Sequence, residues 1–568
     1  MPAIARPGRN LPTGASMRKI AALLAAPLLL APALCLAAPT PAFDVQRFSQ
    51  DVKTLSDDSF EGRAPATEGE KKTIAYIIQQ MKAAGLQPGM PDGGWTQSVP
   101  LLKSDIVGAP KLSLRLGDGA ARALTQGEEI AVRAALTGQD KVDIAAAPLV
   151  FVGYGVKAPE RNWDDFKGAD LKGKILVVLV NDPDFEGGAG ELGGDFGGKT
   201  MTYYGRWTYK YEEGARQGAA GVLVIHEYAP ASYGWPTVKN SNTNTMFDIV
   251  RADPTAEHVP MEGWIQRDLA VDLFKAAGLD FEAMKKAAQK KDFKPVALNA
   301  TLDAAYAVKA ETITSYNVLG RLAGAKHPNE TVIYSGHWDH LGIGQPDAKG
   351  DRIYNGARDN ASGIAALLEL GRAFAKAPRT DRSVLFLTVT AEEKGLLGSE
   401  YYAANPVYPL ATTAGVINMD SIVGEGAARD FTISGVARLG LLDMLVDQGR
   451  KLGRVYVPDP KTETGGFYRS DHFPMAKAGV PAFSFKGGID LVKGGVARGK
   501  ELGAIYTHDR YHQPADEWSA DMDLSNIGPD LTLLYNTGRA LADGRAWPDW
   551  APDAEFKAKR DETAAERK

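Results

Sequence analysis

The chain has 568 residues, 44% hydrophobic and 24% charged, with 65 basic against 70 acidic side chains and a net charge of −5. That is the composition of an ordinary globular protein with room for two to three domains. There is no basic block and no basic–aromatic stripe, which excludes a nucleic-acid footprint.

The first stretch reads as a secretory leader. Arg18-Lys19 precedes the uncharged run Ile20–Leu36, and Ala37 and Ala38 follow it. This is the order of a basic region, an apolar region and a small-residue cleavage site. Pro27 and Pro32 break the run, which is short for a membrane span. A signal peptide over residues 1–38 is therefore expected, with the mature chain periplasmic or secreted and without a membrane partner. Cys35 is the only cysteine, so the mature chain is expected to hold no disulfide and no reactive thiolate.

Residues 42–145 open with two amphipathic helices, Asp44–Leu55 and Thr67–Ala84, the second ended by Gly85. Short alternating runs such as Lys111–Leu116 follow. Residues 146–300 read as a separate unit. Its strands are Pro148–Gly153, Lys174–Val180 and Ala220–Ile225, and its helices Tyr209–Gly218, Ile265–Ala277 and Phe281–Lys290. The Gly-rich stretch Glu186–Lys199 reads as an exposed loop. In residues 301–545 strands alternate with helices: Val332–Tyr334, the helix Ala361–Lys376, then Ser383–Thr390, Ala414–Ile417 and Pro481–Phe485. That rhythm predicts an α/β fold with a mostly parallel sheet and helices on both faces. Residues 546–568 form a charged tail, expected to fray from Asp553 onward.

Chemistry-bearing residues gather after these strands. His337 and Asp339 follow Val332–Tyr334, and Asp359 precedes the helix at 361. Glu392 and Glu393 follow Ser383–Thr390, and Asp420 follows Ala414–Ile417. His472 and His512 lie further on. Taken singly, each acid reads equally as a solvated charge, and Asp359 as a helix cap. In such sheets, however, ligands bind beyond the carboxyl ends of the strands. Four ionised carboxylates converging there would repel, and some would take up protons. Two divalent cations balance them. Nitrogen and oxygen donors without sulfur suit zinc, with cobalt or manganese as substitutes.

Five motifs carry a resemblance: His337-x-Asp339, Asp359-Asn-Ala-Ser-Gly363, Glu392-Glu393, Asn418-Met-Asp420 and His512. Together they resemble the co-catalytic dizinc aminopeptidases, the family 28 metallopeptidases of clan MH. Leu171-Lys-Gly-Lys-Ile-Leu-Val-Val178 and Gly214–Ile225 are similar to the protease-associated domain, a β-rich module inserted in secreted peptidases. The resemblance implies a zinc exopeptidase fold with that module at 146–300. It implies two zinc ions per subunit: His337 and Asp420 on one, Glu393 and His512 on the other, Asp359 bridging, with a cis bond from Asp359 to Asn360. Glu392 is then the general base for a hydroxide shared by the metals, and Asp339 stands behind His337. Tyr468 and His472 are the candidates to support the oxyanion. The implied activity is release of N-terminal residues from peptide substrates. The alternatives are a glutamate-carboxypeptidase-like exopeptidase, which would use arginines such as Arg352, Arg358 and Arg469, a glutaminyl cyclase, and a non-catalytic binding ectodomain.

Overall fold

The computed structural model describes residues 41–187, 194–344 and 346–567. The expected leader at 1–38, with Cys35, lies outside the described residues, as does the middle of the loop 186–199. Among the described residues no helix is long and apolar enough to cross a membrane.

Four strands with almost wholly buried residues lie side by side and parallel: Ala482–Gly487, Thr413–Met419, His327–His337 and Arg382–Val389. Every residue of Arg382–Val389 and of Thr413–Met419 is buried, which is why both read as continuous apolar runs. Their register aligns the carboxyl ends. His337 pairs with Val389, Ser335 with Asn418, and Asn418 with Ser484. The residues that follow each strand therefore emerge along one edge.

Helix Ser362–Lys376 is buried along nearly its whole length. It lies in one apolar cluster with Val45–Leu55, Glu68–Ala84 and Ile527–Asp543. The sequence rules for caps hold in the first two helices. Asp44 accepts from Arg47 N–H, Thr67 accepts from Glu70 N–H, and Gly85 closes the second helix at φ 87°. Two charged residues inside the cluster are paired. Glu369 holds Arg47 at 2.6 Å, and Arg372 reaches Asp51 at 2.8 Å and Glu369 at 2.6 Å.

A second set of parallel strands, Lys141–Phe151, Ile175–Leu179, Gly221–His226 and Met261–Gln266, has its own apolar clusters. Two long antiparallel strands, Thr96–Leu116 and Val296–Leu322, join the sets. They pair from Val318–Thr96 to Ala300–Leu116. The apolar cluster around the second set begins at Leu112 and ends at Val308, wider than the expected 146–300.

Two stretches differ from expectation. Phe196, at the end of the expected exposed loop, is fully buried with its ring edge on Trp163 at 5.0 Å. The C-terminal tail does not fray. Phe556 stacks on Phe467, and buried Arg560 donates to the Thr413 carbonyl at 3.1 Å.

Candidate metal centre and active site

His337 ends its strand with its ring buried. Nδ1 lies 3.1 Å from the Asp339 carbonyl oxygen. Nε2 has no hydrogen-bond partner and faces three carboxylates: Asp359 Oδ1 at 3.3 Å, Asp420 Oδ1 at 3.6 Å and Glu392 Oε2 at 3.9 Å. His512 Nε2 faces Asp359 Oδ2 at 3.3 Å and Glu393 Oε2 at 3.2 Å. Asp359 thus offers one oxygen to each imidazole.

These separations mostly exceed hydrogen-bond lengths. The four that join an imidazole to Asp359, Asp420 or Glu393, at 3.2–3.6 Å, are close to the edges of a metal tetrahedron. With zinc–nitrogen and zinc–oxygen bonds of about 2.0–2.2 Å, donors stand roughly 3.3–3.6 Å apart. His337, Asp359 and Glu393 bring ligand atoms within 4.8 Å of one another, as do His337, Glu392 and Asp420. The acids also dominate the local field. Against the opposing effect of burial, the nearby carboxylates raise His337 well above its usual range and His512 to about 10. Burial, opposed by His337, pushes Glu392 well above the ordinary carboxylate range. A cluster that draws positive charge this strongly, built from nitrogen and oxygen donors, fits divalent cations.

Each acid is held from behind. The Asp359–Asn360 bond is cis. Asp516 accepts the N–H of Asp359 at 3.1 Å and of Arg358 at 3.2 Å, and its carbonyl accepts Ala357 N–H at 2.8 Å. Asn360 Oδ1 accepts Gly363 N–H at 2.9 Å and Ser421 N–H at 3.0 Å, and Nδ2 donates to the Met419 carbonyl at 3.1 Å. That ties the Asp359 turn to the strand end bearing Asp420. Gly363 has to be glycine, because a Cβ there would lie 2.2 Å from Asn360 Oδ1. Ser470 donates to Asp420 Oδ2 at 2.9 Å.

Asp339 lies on the Nδ1 side of His337, away from the cluster that Nε2 faces. Its carboxylate lies 3.7 Å from His337 Nδ1. It also accepts Glu392 N–H at 3.0 Å and Glu393 N–H at 3.4 Å, fixing the turn that carries both glutamates. The turn starts at Ala391, whose φ of 54° is in the left-handed region.

The two oxyanion candidates differ in their surroundings: the Tyr468 hydroxyl is engaged, while neither His472 ring nitrogen has a hydrogen-bond partner among the described residues. Tyr468 donates its hydroxyl to Glu555 and packs on Tyr203 and Phe473. His472 is fully buried with its ring edge on Phe467 at 4.7 Å, and burial pushes it down to about 3. Of the three arginines near the motifs, Arg352 donates to the Gly344 carbonyl and Arg358 pairs with Glu425. Arg469 is exposed and makes no ion pair among the described residues.

Arg63 and Asp516 escaped the sequence reading. Arg63 is fully buried and donates to the carbonyls of Leu55, Trp338, Asn355 and Gly356. Neither belongs to a local pattern that would mark it.

Comparison with known proteins follows this geometry. Residues 317–528 match Peptidase family M28. A probable zinc metalloprotease of Phaeosphaeria nodorum is 34% identical over 127 residues, 20% of this chain and 25% of that protein. Leupeptin-inactivating enzyme 1 of Streptomyces exfoliatus is 31% identical over 184 residues, 32% of this chain and 37% of that protein. The chain thus spans about a quarter to a third of the length of these curated relatives. Among solved structures, an aminopeptidase from Aneurinibacillus sp. strain AM-1 aligns over 89% of this chain and 95% of its own, with TM-score 0.49 and 21% identity. The zinc aminopeptidase of Bacillus subtilis aligns over 92% and 98%, with TM-score 0.43 and 18% identity. The stretch similar to Peptidase family M28, residues 317–528, includes all six clustered side chains: His337, Asp359, Glu392, Glu393, Asp420 and His512.

Proposed function

We propose that the protein is a secreted or periplasmic zinc aminopeptidase that removes N-terminal residues from peptides. The observation that carries this reading is the division of Asp359, one oxygen 3.3 Å from His337 Nε2 and the other 3.3 Å from His512 Nε2. His337, Asp420 and Asp359 Oδ1 would hold one zinc ion, and His512, Glu393 and Asp359 Oδ2 a second. Bound zinc supplies Lewis acidity that polarises a carbonyl and acidifies water.

The chain's own residues do the rest. Glu392 stands at the His337 side of the cluster, 3.9 Å from Nε2, with its backbone pinned by Asp339. There it accepts a proton from water and returns it to the leaving amine. Residues 146–300 wall the cleft and restrict it to short or unfolded chains. In support, Tyr203 packs on Phe473 at 5.1 Å, and Met201 N–H donates to the Thr462 carbonyl at 3.2 Å.

The test is hydrolysis of aminoacyl-nitroanilides. Activity should vanish on exhaustive chelation and return with zinc. Glu392→Gln should keep its zinc and lose about 10²–10⁴-fold in kcat. Unchanged hydrolysis after metal stripping would sink the reading.

One observation favours a second reading, a carboxypeptidase. Among the described residues Arg469 has no ion-pair partner, and Arg206, whose Nε is buried without a hydrogen bond there, is held down to about 10 by burial and by Arg469 nearby. Two guanidiniums set together without a carboxylate suit a substrate's free C-terminus. Cleavage of N-acylated peptides with free C-termini, in place of aminoacyl substrates, would select this reading.

A further inference from the structure

We infer that His340 is a positioning residue for Glu393: it anchors one carboxylate oxygen and thereby presents the other to the His512 side of the centre. The inference rests on the two-zinc reading above.

Three observations carry it. His340 Nδ1 lies 2.6 Å from Glu393 Oε1, and Glu393 Oε2 lies 3.2 Å from His512 Nε2. Each Glu393 oxygen therefore has its own imidazole. Both side chains are shielded, His340 at 0% and Glu393 at 4% exposure. The His340 ring is also fixed. Its backbone N–H donates to the Arg63 carbonyl at 3.3 Å. Gly356, at φ 55°, presses against the ring so closely that a Cβ there would stand 2.5 Å from His340 Cγ. Neither His340 nitrogen makes an aligned hydrogen bond among the described residues, and the 2.6 Å approach of Nδ1 to Glu393 Oε1 is the ion-pair contact of the ring.

The terminal torsion of glutamate is broad. A carboxylate with both oxygens free can swing, or can bind an ion through both. Anchoring Oε1 leaves Oε2 as the single donor. Metal sites commonly place a carboxylate behind a ligating histidine, and disturbing that outer partner costs affinity. Here the order is reversed, with the carboxylate in front and the histidine behind it.

The test compares His340→Leu with His340→Asn. The two side chains have nearly the same shape and leave the same space, but only the Asn amide offers a donor where Nδ1 stood. Zinc bound per chain would be counted across a series of free zinc concentrations set by a competing chelator. The wild-type protein should bind two ions. His340→Leu should weaken one of them by about 10–100-fold and leave the other unchanged, while His340→Asn stays within about threefold of wild type. Urea unfolding of the metal-free variants checks that both fold alike. If neither folds, His340→Phe keeps the ring's bulk without a donor and should lose the same ion. Two ions held equally by wild type and His340→Leu would overturn the inference. So would equal losses in Leu and Asn, since the ring itself and not its polar contact with Glu393 would then matter. A wild-type protein that holds a single ion would instead overturn the two-zinc reading, whatever the variants do.

Discussion

Asp516 sits directly behind Asp359, its carboxylate accepting the Asp359 backbone N–H at 3.1 Å. Because it also accepts Arg358 N–H, it fixes the turn that aims Asp359 at two imidazoles. Asp516→Ala leaves two buried N–H groups without acceptors. It should cost about 1–3 kcal/mol in urea unfolding of the metal-free protein. It should also weaken zinc binding by about 10–100-fold, read by chelator competition.

Asp339→Asn tests the bracing of the glutamate turn. The amide can still accept Glu392 N–H, but its NH₂ would face the Glu393 N–H donor, 3.4 Å away in the native protein. We expect kcat to fall by about 10–100-fold with KM nearly unchanged. A variant as active as wild type would show that the turn holds itself.

Arg63→Lys tests the brace beneath the centre. One ammonium has three donors and cannot reach the four carbonyls that the planar guanidinium serves, from Leu55 to Gly356. At least one buried carbonyl loses its partner, at about 1–3 kcal/mol, measured as a lower urea midpoint.

His258 gives a pH prediction outside the metal centre. Its nitrogens contact Glu262 at 2.8 Å and Asp248 at 2.9 Å. Arg251 joins Asp248 to Glu400, on the helix after the glutamate turn. Burial disfavours the charged ring, but Glu262 and Asp248 outweigh it and lift His258 from 6.5 to about 10. A raised folded-state value means that the stabilisation is complete below 6.5 and disappears as pH rises through about 10. The stability gap between wild type and His258→Gln should therefore be widest near pH 6 and close toward pH 10. A gap that stays constant over that range would refute the assignment.

Much of this was legible because buried parallel strands write themselves as apolar runs. Ser383–Thr390 was read and Arg382–Val389 is observed; Ala361–Lys376 was read and Ser362–Lys376 is observed. Five of the six polar residues follow such a run or cap the helix beside it, whereas His512 follows none and stands out only through the family resemblance. The long strand Val296–Leu322 was not legible. Its burial alternates and its middle carries Lys309 and Glu311, so no apolar run marks it. Met261–Gln266 was missed as a strand because Ile265 fits the following helix equally well. The supporting residues act across the chain: Arg63 reaches Trp338 and Asp516 reaches Asp359, distances at which local periodicity says nothing. The tail hid Phe556 and Arg560 among charges that pair with one another, such as Lys559 with Glu562.

The paired strands Thr96–Leu116 and Val296–Leu322 act as a girder. Two backbones laced along eighteen matched positions resist bending, and the one break in their lacing falls between Ala305 and Ala307. Because the ribbon is hydrogen-bonded to Arg382–Val389 on one side and to Lys141–Phe151 on the other, both strand sets belong to one continuous backbone lattice, and a turn of one is passed to the other through main-chain bonds.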